Sequence, residues 1–194
     1  LTMITIMMGW FDAETLAANQ IVQTMIGFSF MISNGVASAS TILVSHDLGR
    51  RNITDIRHHT YAGIHIAMLI MVGFAVLYGF GGDMVATLFT NDTKVVSIAS
   101  KLFLVVAFFE IFDGLQITTL GALRGLSEVK RPMYYAFICY IGIAIPCAYI
   151  MAFPLNFGSQ GVLAGFMFGL FMAAFLFIRR FHKVVHLFDS SNSK

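Results

Sequence analysis

Two carboxylates lie where carboxylates are costly. The stretch Phe109-Glu110-Ile111-Phe112-Asp113-Gly114-Leu115-Gln116 sits near the middle of a long apolar segment, Val95–Leu123. At the helical rise per residue, Glu110 and Asp113 are each about 15 Å or more from either end of that segment. A carboxylate at such depth costs about 2.5–3.5 kcal/mol on insertion scales. Glu110, Asp113 and Gln116 follow each other at intervals of three, so on a helix they share one face. That face must point at a bundle interior or a watery cavity. Two acids so close, with little water, hold a proton or bind a cation between them. The nearest base on the same helix, Lys101, is nine residues before Glu110 and too far to neutralise either acid. The alternative is that a buried base or backbone pairs with the acids and they only fix helix packing.

A second polar feature runs along the preceding apolar stretch. Gln20, Gln23, Gly27, Asn34, Ser38, Thr41 and Ser45 recur at three- and four-residue steps, with Met31 in the one gap. This draws one face along a whole helix. It reads equally as a cavity lining, with Gln20, Gln23, Asn34, Ser38 and Gln116 as the candidate residues, or as hydrogen-bonding glue between helices. Pro146, inside another apolar run, is expected to kink or locally open its helix. Gly165-x-x-x-Gly169 is a weak helix-packing motif. His58 and His59 fall in a polar connection and are expected to be solvated, and His65 to make a polar contact near a helix end. Cys139 and Cys147 are expected to be free thiols used in packing.

The elements that hold these residues follow from composition. The 194 residues are 58% hydrophobic and only 11% charged, with a mean hydropathy of +0.81. A soluble domain carries about 25% charged residues. Tyr61–Gly82 has no charged residue beyond His65, and Met133–Phe153 and Val162–Ile178 have none. Runs of about 17–25 apolar residues match the hydrocarbon thickness of a bilayer, and in lipid the backbone satisfies itself as helix. The short alternating segments of a membrane β-barrel do not occur. The fold class is therefore all-α, a polytopic membrane helix bundle.

Six apolar segments are expected: 1–11, 16–45, 61–82, 95–123, 133–153 and 161–178. The first is too short to span and reads as the end of a helix that begins upstream. Residues 1–183 form one transmembrane unit, and 184–194 read as a disordered cytoplasmic tail. Ten of the twelve basic residues fall in alternate connections: Arg50, Arg51 and Arg57, then Arg124, Lys130 and Arg131, then Arg179, Arg180, Lys183 and Lys194. The positive-inside rule puts those connections and the C-terminus in the cytoplasm, giving a multi-pass plasma-membrane protein. A net charge of +2 gives no reason to expect nucleic acid as a partner. Intramembrane protease motifs, Gly-rich phosphate loops and metal-ligand clusters are missing from the sequence, so no enzyme and no bound cofactor are expected. A buried acidic face in such a bundle is the equipment of a proton- or sodium-coupled transporter.

Several motifs carry a family resemblance. Leu16-Ala17-Ala18-Asn19-Gln20-Ile21 and Phe30-Met31-Ile32-Ser33-Asn34-Gly35-Val36-Ala37 resemble the MATE (multidrug and toxic compound extrusion) family. So do Leu88-Phe89-Thr90-Asn91-Asp92 and, most specifically, Phe112-Asp113-Gly114-Leu115-Gln116 followed by Gly121-Ala122-Leu123-Arg124-Gly125. Ile145-Pro146 with Gly158 and Gly161 completes the order. The resemblance is to the NorM-like branch. It implies one lobe, about helices 7–12, of a twelve-helix, two-lobe transporter, with the N-terminal lobe as partner. It implies export of cationic, often aromatic drugs in exchange for Na⁺ or H⁺, in a bacterial inner membrane. Asp113 matches the family's tenth-helix acid implicated in cation coupling and is the candidate Na⁺ ligand, with Glu110 beside it. The seventh-helix glutamate of that branch has no counterpart in Leu1–Phe11. A lipid-linked oligosaccharide flippase of the wider superfamily and an inactive membrane scaffold are the competing readings.

Overall fold

The structure is a computed structural model. It describes residues 2–192, with side chains described for residues 4–189. Every regular element among the described residues is helical. A short helix α1 (Thr2–Met8) precedes α2 (Ala13–Gly49), α3 (Ile53–Thr87) and α4 (Thr93–Gly125). The next, α5, runs over Lys130–Ala152 and α6 over Gly158–Asn192. All but α1 are long and apolar enough to cross a membrane. Their outer surfaces agree with a lipid surround, since Leu69, Phe80 and Met84 of α3 are largely exposed.

Helices α2, α3, α4 and α6 outrun their apolar segments at both ends, because a polar stretch beyond the bilayer loses nothing by staying helical if its terminus is capped. The largest correction is at α3. It begins at Ile53 rather than near 61, and Asn52 caps it by accepting from the Asp55 amide. His58 and His59 are thus helical, and His59 is not simply solvated: its Nδ1 lies 2.6 Å from the buried Asp47 carboxylate of α2. His65 lies well inside α3 and bonds one turn back to the Tyr61 carbonyl. The tail is also corrected as far as it is described. Residues 184–192 continue α6, with Val184 and Val185 buried and Asp189 paired to Arg57 of α3.

At the opposite end of the bundle, Asp12 caps α2 by accepting from the Thr15 amide. The Thr15 side chain first, and this amide hydrogen bond second, hold the Asp12 carboxyl below the ordinary aspartate value. The cap is therefore complete above the ordinary aspartate range and is lost as pH falls through the lowered value. Lys94, near the start of α4, bonds Glu14 of α2 at 3.1 Å.

Helix α4 is the centre of the bundle, packed by α2, α3 and α6, while α5 packs on α6. Close approach of α2 and α4 depends on Gly121. A Cβ there would come 2.5 Å from the Ala37 carbonyl oxygen, a backbone atom that cannot retract. The bare backbone lets Thr41 Oγ1 donate to the Gly121 carbonyl at 2.8 Å and Ser45 Oγ to that of Gly125 at 3.2 Å. This lower part of the polar stripe is packing glue between helices.

Within α5 the residues Ile138–Ala144 form a π-helix, followed by α-helix from Ile145. Pro146 has no amide hydrogen and its ring clashes with the preceding turn. The wider register absorbs both defects, so the local opening expected at Pro146 takes this form. Gly169 of α6 fits against the widened stretch, facing the Cys139 carbonyl and Ala144. Cys139 and Cys147 are free thiols.

Candidate functional site

Glu110, Asp113 and Gln116 occupy one face of α4 and are buried, at 1%, 8% and 5% exposure. Their surroundings differ. Glu110 is enclosed between helices: its Oε1 accepts from Ser29 Oγ of α2 at 2.7 Å, while its Oε2 has no hydrogen-bond partner. Asp113, one turn on, reaches a cavity of about 290 Å³ together with Tyr140 of the π-helical stretch. The remaining wall is apolar or aromatic, with Phe30 of α2, Phe109 of α4 and Phe166 of α6. Gln116 does not face this cavity directly, but its Oε1 accepts from the Tyr140 hydroxyl at 2.9 Å and so orients that ring.

Among the described residues no Lys, Arg or His pairs with either carboxylate. A buried base is thus not what holds these acids. Two carboxylates one turn apart, in a space with little water, remain charged together only with a cation between them. The site offers one anion, one phenol and flat apolar walls. That combination suits a cation, either a small ion on the carboxylate or an organic cation lying against the rings.

The other candidates of the polar stripe fall elsewhere. Gln20, Asn34 and Ser38 are exposed and Gln23 is half-buried, its Nε2 donating to Thr5 of α1. None of them lines the cavity, and Gly27 and Phe30 take that place on α2. Pro146 is also outside it and acts only through the π-helical stretch that carries Tyr140.

Ser29 and Tyr140 are site residues that sequence reasoning missed. Ser29 lies with Ser33 and Ser40 on the buried side of α2, a line of small polar residues that looks like ordinary packing. Only the fold brings it to Glu110, 81 positions away. Replacing Ser29 with Ala leaves Glu110 with no hydrogen bond. The expected cost is about 1–3 kcal/mol, the penalty for an unsatisfied buried acceptor, read as a lower thermal midpoint in detergent. Thr at the same position should restore most of it.

Comparison with known proteins places this architecture. The family model described as MatE matches residues 1–150. A probable multidrug resistance protein NorM of Xylella fastidiosa (strain Temecula1) is 36% identical over 180 residues, covering 93% of this chain and 38% of that protein. Its Bacillus cereus (strain ATCC 14579) namesake is 30% identical over 98% of this chain and 42% of its own length. The chain thus spans about two fifths of the curated relatives it matches. An outward-facing multidrug resistance MATE family transporter superposes with a TM-score of 0.86 at 17% identity, over 96% of this chain and 42% of that one. An inward-facing one gives 0.85 at 17% identity, over 96% and 43%. The motifs, the helical architecture and the match over most of its length agree: this chain belongs to the MATE family.

Proposed function

We propose that the complete protein is a cation-coupled antiporter that exports cationic, aromatic molecules, and that this chain is its C-terminal lobe. The observation that carries the reading is Asp113. It is an acid at the wall of an aromatic cavity inside a membrane helix bundle, one turn from a second acid, with no base among the described residues paired to either. In the outward-open state Asp113 takes up Na⁺ or a proton. The organic cation, which competes for the same negative field, then leaves. Once the cavity closes to the outside and opens to the inside, the ion is released and the next substrate binds.

The fold supports the rigid-lobe part of this cycle. The chain superposes equally well on an outward-facing and an inward-facing transporter, with TM-scores of 0.86 and 0.85. A lobe that keeps its shape while access alternates has that property. The exposed members of the stripe on α2, Gln20, Asn34 and Ser38, would then face the cleft toward the N-terminal lobe. The basic connections and the C-terminus would face the cytoplasm of a bacterial inner membrane.

The test uses the complete reading frame in liposomes loaded with ethidium. An imposed sodium gradient or proton gradient should drive ethidium movement against its concentration, and the effective gradient names the coupling ion. No response to either gradient would defeat the reading in favour of a scaffold or a flippase.

A further inference from the structure

A second concave site, of about 370 Å³, opens between α5 and α6 at the basic end of the bundle, far along α6 from the acids of α4. It is lined by Tyr135, Leu176, Arg179, Arg180 and Lys183. The transport reading makes no use of it. We propose that this site holds the phosphate of an anionic phospholipid, so that one lipid is bound in register with the lobe.

The charges are built in rather than scattered. Arg180 is buried, and its Nη2 and Nε bond the two Glu128 carboxylate oxygens at 2.7 and 3.3 Å. This clamp fixes Arg180 in the wall of the site and pairs the Glu128 carboxylate with it. Arg179 and Lys183 are one helical turn apart on α6, so they flank the same opening. Arg179 lies over the Phe175 ring, 5.6 Å from its centroid, which holds the guanidinium at the edge of the apolar surface. Among the described residues no carboxylate lines the opening itself. Two cations therefore face it without a local anion, and the Tyr135 ring comes from the opposite wall.

The site also stands where a phospholipid phosphate must stand. Arg179 follows directly on the uncharged run Val162–Ile178. Toward the membrane centre the surface is apolar and open, with Phe171, Met172 and Phe175 of α6 between 42% and 48% exposed. Acyl chains have a surface to follow and the headgroup meets the cations above it. A free phosphate would gain the cations but not the apolar surface, so retention should need both halves of a lipid. Basic pockets between membrane helices bind anionic headgroups on these terms.

The test is native mass spectrometry of the complete protein released from nanodiscs holding phosphatidylglycerol and phosphatidylcholine in equal amounts. The unaltered protein should retain the anionic lipid about 30-fold over the zwitterionic one, the effect of about two near-surface cations. R179Q/K183Q should bring the ratio close to parity, and R179K/K183R should keep most of it. R50Q/R51Q, which removes the same charge from the connection between α2 and α3, should leave the ratio unchanged. An unchanged ratio in R179Q/K183Q would overturn the proposal, as would an equal fall in R50Q/R51Q, which marks general attraction to a basic surface. Displacement of the lipid by inorganic phosphate at about 10 mM would likewise overturn it, assigning the site to a soluble anion.

Discussion

Asp113→Asn in the complete protein should reduce ion-driven ethidium efflux by about 10–100-fold, the loss of one charged interaction of about 1.5–3 kcal/mol, while the lobe stays folded. Asn has the same size and fills the same wall of the cavity. Asp113 makes no hydrogen bond among those described that a fold would lose, so removing its charge relieves burial rather than breaking a contact. Thermal stability in detergent should hold or rise. Ethidium efflux from cells, measured beside the unfolding midpoint, separates the two effects. Ion-driven efflux retained by the Asn variant would refute Asp113 as the coupling group. Glu110→Gln should be milder in transport, because Glu110 does not line the cavity. An amide there can still accept from Ser29.

Gly165→Ala should be the most damaging small substitution in the chain. Gly165 faces α5, and a Cβ there would collide with the backbone nitrogen and Cα of Ala148 and come 2.7 Å from the Cys147 carbonyl carbon. These are backbone atoms, so no rotamer change relieves the contact and α5 must move away from α6. The loss of packing along that interface should cost about 3 kcal/mol, and the displaced α5 carries Tyr140 out of the cavity. Gly73→Ala is the control: it is exposed on α3, nothing lies within 4 Å of its added Cβ, and alanine favours helix by about 1 kcal/mol. Thermal midpoints should fall sharply for the first and hold or rise for the second. Equal midpoints would show that α5 and α6 are not held at this distance.

The acidic face of α4 was legible because its logic is local. Spacing by three on a helix and depth within an apolar run are both counted along the chain, and α4 departs little from the expected 95–123. The polar stripe of α2 was legible as a pattern but not as a role. Thr41 and Ser45 turn inward to carbonyls of α4, while Gln20, Asn34 and Ser38 face outward, and the difference depends on which side α4 approaches. Helix ends were misjudged where a cap, Asn52, allows helix to continue through a polar stretch. Tyr140 was hidden for a geometric reason. A π-helical stretch turns more residues per revolution, so the 3.6-residue count no longer tells which face a side chain occupies.

A bundle of membrane helices, with two acids on one face midway along one of them, is thus legible from residue order alone. Hydropathy and helical period are properties of one segment at a time. That Glu110 is closed in against Ser29 while Asp113 opens on an aromatic cavity with Tyr140 follows from helix packing, not from the chain read alone. That division is set by how closely α2, α5 and α6 approach, and the approach is set by backbone atoms meeting at Gly121, Gly165 and Gly169, contacts between residues far apart in the chain.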